Sequence, residues 1–249
     1  MRGTPVRPEL VEGLVASVGQ RFDRLGPNGA GARRRKPLLL RPLAKPVLFV
    51  ACLLPFAWLL YGAISSVYGV NTLGANPAET LIRATGDWTL RFLCVTLAVT
   101  PLRQWFKQPS LARFRRMLGL FTFFYACVHF LCYSWLDMGL VFDDIVRDIP
   151  KRPFILVGTS ALLLMTALAL TSFNRAIKWL GAARWQALHR AIYAIALLAI
   201  LHFFWMRAAK HNFAEVAVYA AIITGLLGWR AWGRWRDRTQ PAVSSSSTP

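Results

Sequence analysis

The sequence predicts an all-α polytopic membrane protein: a six-helix transmembrane bundle with both termini cytoplasmic. Three observations point there. Of the 249 residues, 55% are hydrophobic and 16% charged, and the mean hydropathy is +0.41. The apolar residues gather in blocks too long for the elements of a soluble core, most of them close to the roughly 20 residues that cross a hydrocarbon layer. The 30 Lys and Arg lie between and beside the blocks, as the positive-inside rule arranges them.

A formal net charge of +19 and a pI near 11.1 therefore report topology and contact with lipid. They do not indicate nucleic acid, since no soluble segment is large enough for a nucleic-acid-binding fold. Cys52, Cys94, Cys127 and Cys132 fall in apolar segments without a C-x-x-C pair. They read as small buried hydrophobes and not as zinc or iron–sulfur ligands.

Residues 1–45 form a basic tail that includes Arg33-Arg34-Arg35-Lys36 and has no apolar h-region. It is expected to be a disordered cytoplasmic segment and not a cleaved signal. The transmembrane domain is expected over 46–232. Its first span, 47–68, crosses outward with Pro55 inside it, and 69–86 is a turn-rich outer segment in which Pro77-Ala78-Glu79 can open a short interfacial helix. The second span, 87–102, is short and carries Asp87 and Arg91 four residues apart on one face.

The third span, 117–136, runs outward from a basic cluster that includes Arg115 and Arg116. Residues 137–152 are an outer loop rich in Asp, read either as a solvated face or as a docking surface for an external partner. A fourth span, 153–172, and an inner loop, 173–184, lead to the helix 185–205. Residues 207–212 are an outer turn with His211 as a solvated side chain, and the sixth span, 213–229 or beyond, returns inside. Residues 233–249 read as a low-complexity cytoplasmic tail.

Three of the four histidines lie inside spans: His129 in the third, His189 and His202 in the fifth. An ionisable ring in a span either bonds to a neighbouring helix or has a functional task, and imidazole is a natural axial ligand of haem iron. His189 and His202 are thirteen residues apart, roughly 20 Å along a helix and roughly 140° in azimuth. They cannot ligate one iron. His129 lies thirteen residues beyond Arg116, so in parallel helices it shares an outer level with His202. The preferred axial pair is His129 with His202. His189 is left for a second haem or for a flavin or quinone headgroup near the inner side. Arg91, one turn below the outer surface, is a candidate partner for a haem propionate.

The segments GDWTLRFLCVTLAVTPLR (86–103), RRMLGLFTFFYACVHFLCYSWLD (115–137), KRPFILVG (151–158), LALTS (168–172) and RWQALHRAIY (184–193) together resemble the MsrQ (YedZ) family in the ferric-reductase-like transmembrane superfamily. The resemblance covers about residues 45–232. It implies a multi-pass protein of the bacterial inner membrane that holds haem b and FMN. Such a protein takes electrons from quinol and passes them to the periplasmic molybdopterin subunit MsrP, which carries the methionine sulfoxide reductase site and repairs oxidised proteins. The family's important histidines fall on His129, His189 and His202. Other members of the superfamily place two histidines on each ligand helix, whereas Arg115 and Arg116 occupy the inner slot of the third span here. No G-x-G-x-x-G motif suggests a nicotinamide domain. Two other functions fit the residues alone: a stand-alone transmembrane ferric or oxygen reductase, and a transporter in which the histidines relay protons.

Overall fold

The computed structural model describes residues 43–70, 72–208 and 213–239. The expectations for the amino-terminal tail up to residue 42, for His211 and for the end of the chain after residue 239 lie outside the described residues. The described chain is helical: α1 Ala44–Val67, α2 Pro77–Trp105, α3 Ala112–Cys132, α4 Phe142–Lys151, α5 Pro153–Leu170, α6 Asn174–Leu180, α7 Ala182–His189, α8 Ile192–Ala208 and α9 Ala214–Thr239. Five segments are long and apolar enough to cross a membrane: Ala44–Val67, Pro109–Asp137, Pro153–Leu170, Ala182–Ala208 and Ala214–Arg236.

The expected second span is where structure and expectation differ most. Its helix, α2, starts ten residues before Asp87 and runs for 29 residues. Asn76 caps it, its Oδ1 accepting from the Glu79 N–H at 3.2 Å, with Pro77 at the first helical position. Glu79 then pairs with Arg83 one turn on at 2.6 Å. This start signal was legible; that the helix continues through Gly86 into the apolar part was not, because a glycine between polar residues reads as a turn.

Three further expectations are corrected. Residues 137–152, expected as a loop, follow a π-helical turn over Tyr133–Asp137 and are mostly the helix α4. Ile145 packs with Tyr133 and Ile155, and the Tyr133 hydroxyl donates to Asp148 at 2.8 Å. The inner loop 173–184 contains α6 and the start of α7. Helix α9 continues to Thr239, seven residues into the expected tail, with Arg234 donating to the Tyr193 hydroxyl at 2.6 Å.

Two apolar clusters hold the bundle. Leu93, Leu97, Ile195, Phe203 and Ile223 join α2 to α8 and α9. Phe92, Phe121 and Tyr125 join α2 to α3 and, with Cys52, to α1; Phe92 stacks on Tyr125 at 4.9 Å between centroids.

Each of two internal prolines is answered by a side chain from another helix. Pro55 lacks an N–H and opens the ladder of α1. The Tyr125 hydroxyl enters the gap, accepting from Phe56 N–H at 3.0 Å and donating to Cys52 C=O at 2.8 Å. Pro101 lacks the N–H that Leu97 C=O would accept in α2, and Arg230 donates to that carbonyl at 2.7 Å instead. Freed backbone groups in an apolar medium need such partners. Tyr125 is fully buried, so Tyr125→Phe strands both backbone groups. Its expected cost is about 1–3 kcal/mol, read as a lower unfolding midpoint in detergent.

Candidate functional site

His129 on α3 and His202 on α8 face each other with ring centroids 6.1 Å apart and planes at 80°. His129 Nδ1 lies 2.9 Å from Ile82 C=O, and His202 Nδ1 lies 2.7 Å from Phe154 C=O. A carbonyl can only accept, so each Nδ1 carries the proton and each Nε2 keeps its lone pair for a ligand. Backbone carbonyls behind metal-binding imidazoles commonly fix the tautomer in this way.

The two receiving sites share a sequence pattern. Ile82 is followed four residues later by Gly86, and Phe154 by Gly158, so in each helix a glycine lies one turn beyond the accepting carbonyl. A Cβ at Gly86 would come within 3.0 Å of His129 Cε1, and one at Gly158 within 2.8 Å of His202 Nδ1. The missing side chains admit the rings to the backbone. Neither glycine, nor either carbonyl, was singled out from the sequence. The available signal was a glycine inside or at the edge of an apolar helical stretch, which usually has a packing reason.

A cavity of about 600 Å³ lies among α2, α3, α5 and α8 and includes both histidines in its lining. Its deeper wall is apolar, with Leu90, Leu93, Ala126, Ala161 and Met165, and its rim is polar, with Glu79, Arg83, Asp137 and Arg152. Arg83 is paired with Glu79. Arg152 is paired with Asp148 at 2.9 Å and lies 3.7 Å from Asp137. The volume falls in the range of cofactor sites.

Arg91, expected near the cofactor, does not line this cavity. Its Nε donates to the Tyr219 hydroxyl at 3.3 Å, and its guanidinium lies 4.7 Å over the Trp88 ring. The reason is helical phase. Because α2 is continuous from Pro77, residues 79, 82, 83, 86, 90 and 93 make the cavity face, and position 91 is about 100° away from Leu90. Asp87, four residues before Arg91 on the same face, has its ion pair on another helix. Asp87 lies 3.8 Å from Arg207, which pairs with Glu215 at 2.7 Å, an arrangement that joins α2, α8 and α9.

His189 stands apart from this pair. The continuous helix expected over 185–205 is broken at Arg190 and Ala191 into α7 and α8, so an azimuth drawn along one helix does not apply. The His189 ring stacks on Trp185 at 3.9 Å, with Nδ1 on Trp185 C=O at 3.1 Å and Nε2 3.5 Å from Ser172 Oγ. Arg116 donates to Ser172 C=O and to Asn174. No second histidine faces His189 among the described residues.

An iron with an imidazole nitrogen about 2 Å away on each side requires ring centroids roughly 6 Å apart. The histidine pair meets that spacing, both free nitrogens are Nε2, and the cavity is apolar within and charged at the rim, as an amphipathic porphyrin needs. Among the described residues no group of three or more His, Cys, Asp or Glu could hold a metal ion directly. The site fits haem.

Comparison with known proteins agrees. Residues 85–200 match the family described as ferric reductase like transmembrane component. A protein of Polaromonas naphthalenivorans, named the haem-binding subunit MsrQ of protein-methionine-sulfoxide reductase, is 64% identical over 201 residues, 81% of this chain and 90% of the relative. Relatives of the same name from Herminiimonas arsenicoxydans and Bordetella pertussis are 48% and 51% identical, over 80% and 81% of this chain and 88% and 96% of their own lengths. No solved structure matches the chain.

Proposed function

The chain belongs to the MsrQ family of the ferric-reductase-like transmembrane superfamily, and from that premise we propose that it carries electrons across the bacterial inner membrane for methionine sulfoxide reduction on its other side. The observation that carries this reading is the His129–His202 pair, 6.1 Å apart with both Nδ1 atoms anchored to backbone carbonyls. Haem b, when bound, supplies one-electron chemistry.

His129 and His202 would hold the iron through Nε2, and haem held by two imidazoles would supply electron transfer rather than oxygen activation. Leu90, Leu93 and Met165 exclude water from the deep part of the site. Arg83 and Arg152 at the rim take the place first assigned to Arg91 as partners of carboxylate groups. Asp148 and Glu79 hold these two guanidinium groups in place.

Topology supports the direction of transfer. Helix α2, the second span in chain order, brings the five apolar segments to six crossings: its 29 residues extend roughly 43 Å at 1.5 Å per residue, enough for a tilted crossing. With it, both termini lie in the cytoplasm and the cavity rim faces the periplasm. There the molybdopterin subunit MsrP accepts electrons. Quinol is the donor, and His189 serves the inner donor site, where no histidine stands opposite it for a second haem among the described residues.

Purified protein should be red and show low-spin absorbance bands that sharpen on reduction. A colourless, folded preparation favours a proton-relaying transporter. A preparation that reduces ferric iron or oxygen rapidly without its partner favours the stand-alone reductase. His189→Ala should keep the haem bands while slowing reduction by a quinol analogue about tenfold or more, as losing one positioned donor or proton acceptor does. Stopped-flow absorbance checks this; an unchanged rate removes His189 from the donor site.

A further inference from the structure

Around the cytoplasmic ends of α2 and α9 the protein gathers positive charge that no carboxylate meets among the described side chains. Arg230 is only 8% exposed. One of its terminal nitrogens donates to Leu97 C=O and to the Thr100 hydroxyl at 3.0 Å, which answers the Pro101 gap, but its Nε is buried without a partner. Arg234 lies 5.0 Å over the Tyr193 ring, and Arg230 lies 5.8 Å over the same ring. Arg115 is within electrostatic reach of Arg230 and of Arg103. Among the described residues none of these four arginines pairs with a carboxylate. Other buried or rim arginines do: Arg207, Arg83 and Arg152 each have an acid. A buried guanidinium without a counter-ion is costly, so the cluster is incomplete as it stands.

The surroundings identify the missing anion. Trp105 and Trp229 meet edge to face at 5.4 Å on the same two helix ends, and Trp105, Trp232 and Trp235 are exposed. Tryptophans grouped beside arginines mark the headgroup level of a bilayer. Basic pockets between helices on the cytoplasmic side receive acidic headgroups. We infer that Arg230, Arg234, Arg103 and Arg115 form a binding site for the phosphate of an anionic phospholipid of the inner leaflet. The phosphate completes the coordination of Arg230 Nε and neutralises the cluster, while Tyr193 and the flanking tryptophans set its depth. This site lies at the opposite end of α2 from the histidine pair and does not depend on haem being bound.

The test uses the full chain in nanodiscs of phosphatidylcholine with and without phosphatidylglycerol. Unfolding midpoints and native mass spectrometry of retained lipid are both recorded. The parent protein should retain phosphatidylglycerol and gain stability from it, as a ligand of the folded state does. Arg230→Gln and Arg234→Gln should each weaken retention about fivefold, the worth of one arginine at a membrane surface. Arg230→Lys, which keeps the charge but lacks the Nε donor, should recover only part of the loss seen in Arg230→Gln, and Lys178→Gln, outside the cluster, should retain all of it. If Arg230→Gln does not fold, the exposed Arg234 decides. Equal retention in the parent and Arg234→Gln overturns the site. So does a parent protein indifferent to phosphatidylglycerol. Inorganic phosphate in lipid-free detergent that reproduces the whole stabilisation overturns the lipid assignment and makes the ligand a soluble phosphate.

Discussion

Protein carrying His129→Ala or His202→Ala should fold, insert and emerge without the haem absorbance of the parent chain. Each substitution removes one of two imidazoles whose centroids are 6.1 Å apart, and no third histidine among the described residues can replace it. His189 is held at Trp185 and Ser172, on a different turn of the bundle. Removing only an outer-sphere partner of a metal ligand lowers affinity by about 10–100-fold, so loss of the ligand itself should cost at least that. The pyridine haemochrome assay per chain measures it, beside a size-exclusion profile that reports folding. Full haem in either variant would dissolve the proposed site. Joint loss of haem in His129→Ala and His189→Ala, with His202→Ala intact, would move the site to the inner level.

Gly158→Ala should also strip or distort the site, although it touches no ligand atom. Its new Cβ would stand 2.8 Å from His202 Nδ1, the nitrogen that is 2.7 Å from Phe154 C=O. The ring cannot keep that hydrogen bond and avoid the methyl, because the clash is at the bonded nitrogen and not at a flexible tip. Haem affinity should fall by about 10–100-fold, with a shift of the residual bands as the ring rotates. Gly86→Ala should be milder, since its Cβ would meet His129 Cε1 at 3.0 Å and Nδ1 at 3.2 Å. Gly119→Ala is the control: the nearest contact there is Thr96 at 3.8 Å, and replacing a helical glycine should stabilise by about 0.5–1 kcal/mol. Haem titration of the three variants gives the order. Equal affinity in Gly158→Ala and Gly119→Ala would mean that close approach to the backbone does not hold His202.

The periodic apolar blocks made five spans legible, and Asn76-Pro77 with Glu79 marked the start of α2. The level shared by His129 and His202 could also be read, because two parallel helices that each start behind basic residues count their depth from the same surface. What could not be read was phase. Placing the start of the second span at Asp87 separated Arg83 from Arg91 by an invented boundary, so Arg91 was the one guanidinium considered and Arg83, on the cavity face, stayed in the expected outer segment. Likewise the break at Arg190 and Ala191 carries no glycine or proline to announce it.

By itself the sequence determined the class of solvent this chain lives in, the order of its apolar helices, and which histidines sit in them, since hydrophobic length acts locally along one chain. Only the tertiary structure decided which carbonyl fixes each imidazole, why residues 86 and 158 must lack a side chain, and that Arg83 and Arg152 rather than Arg91 rim the cavity. Those outcomes depend on how the helices rotate against one another, and rotation is set by packing between residues as far apart as Ile82 and His129 or Phe154 and His202.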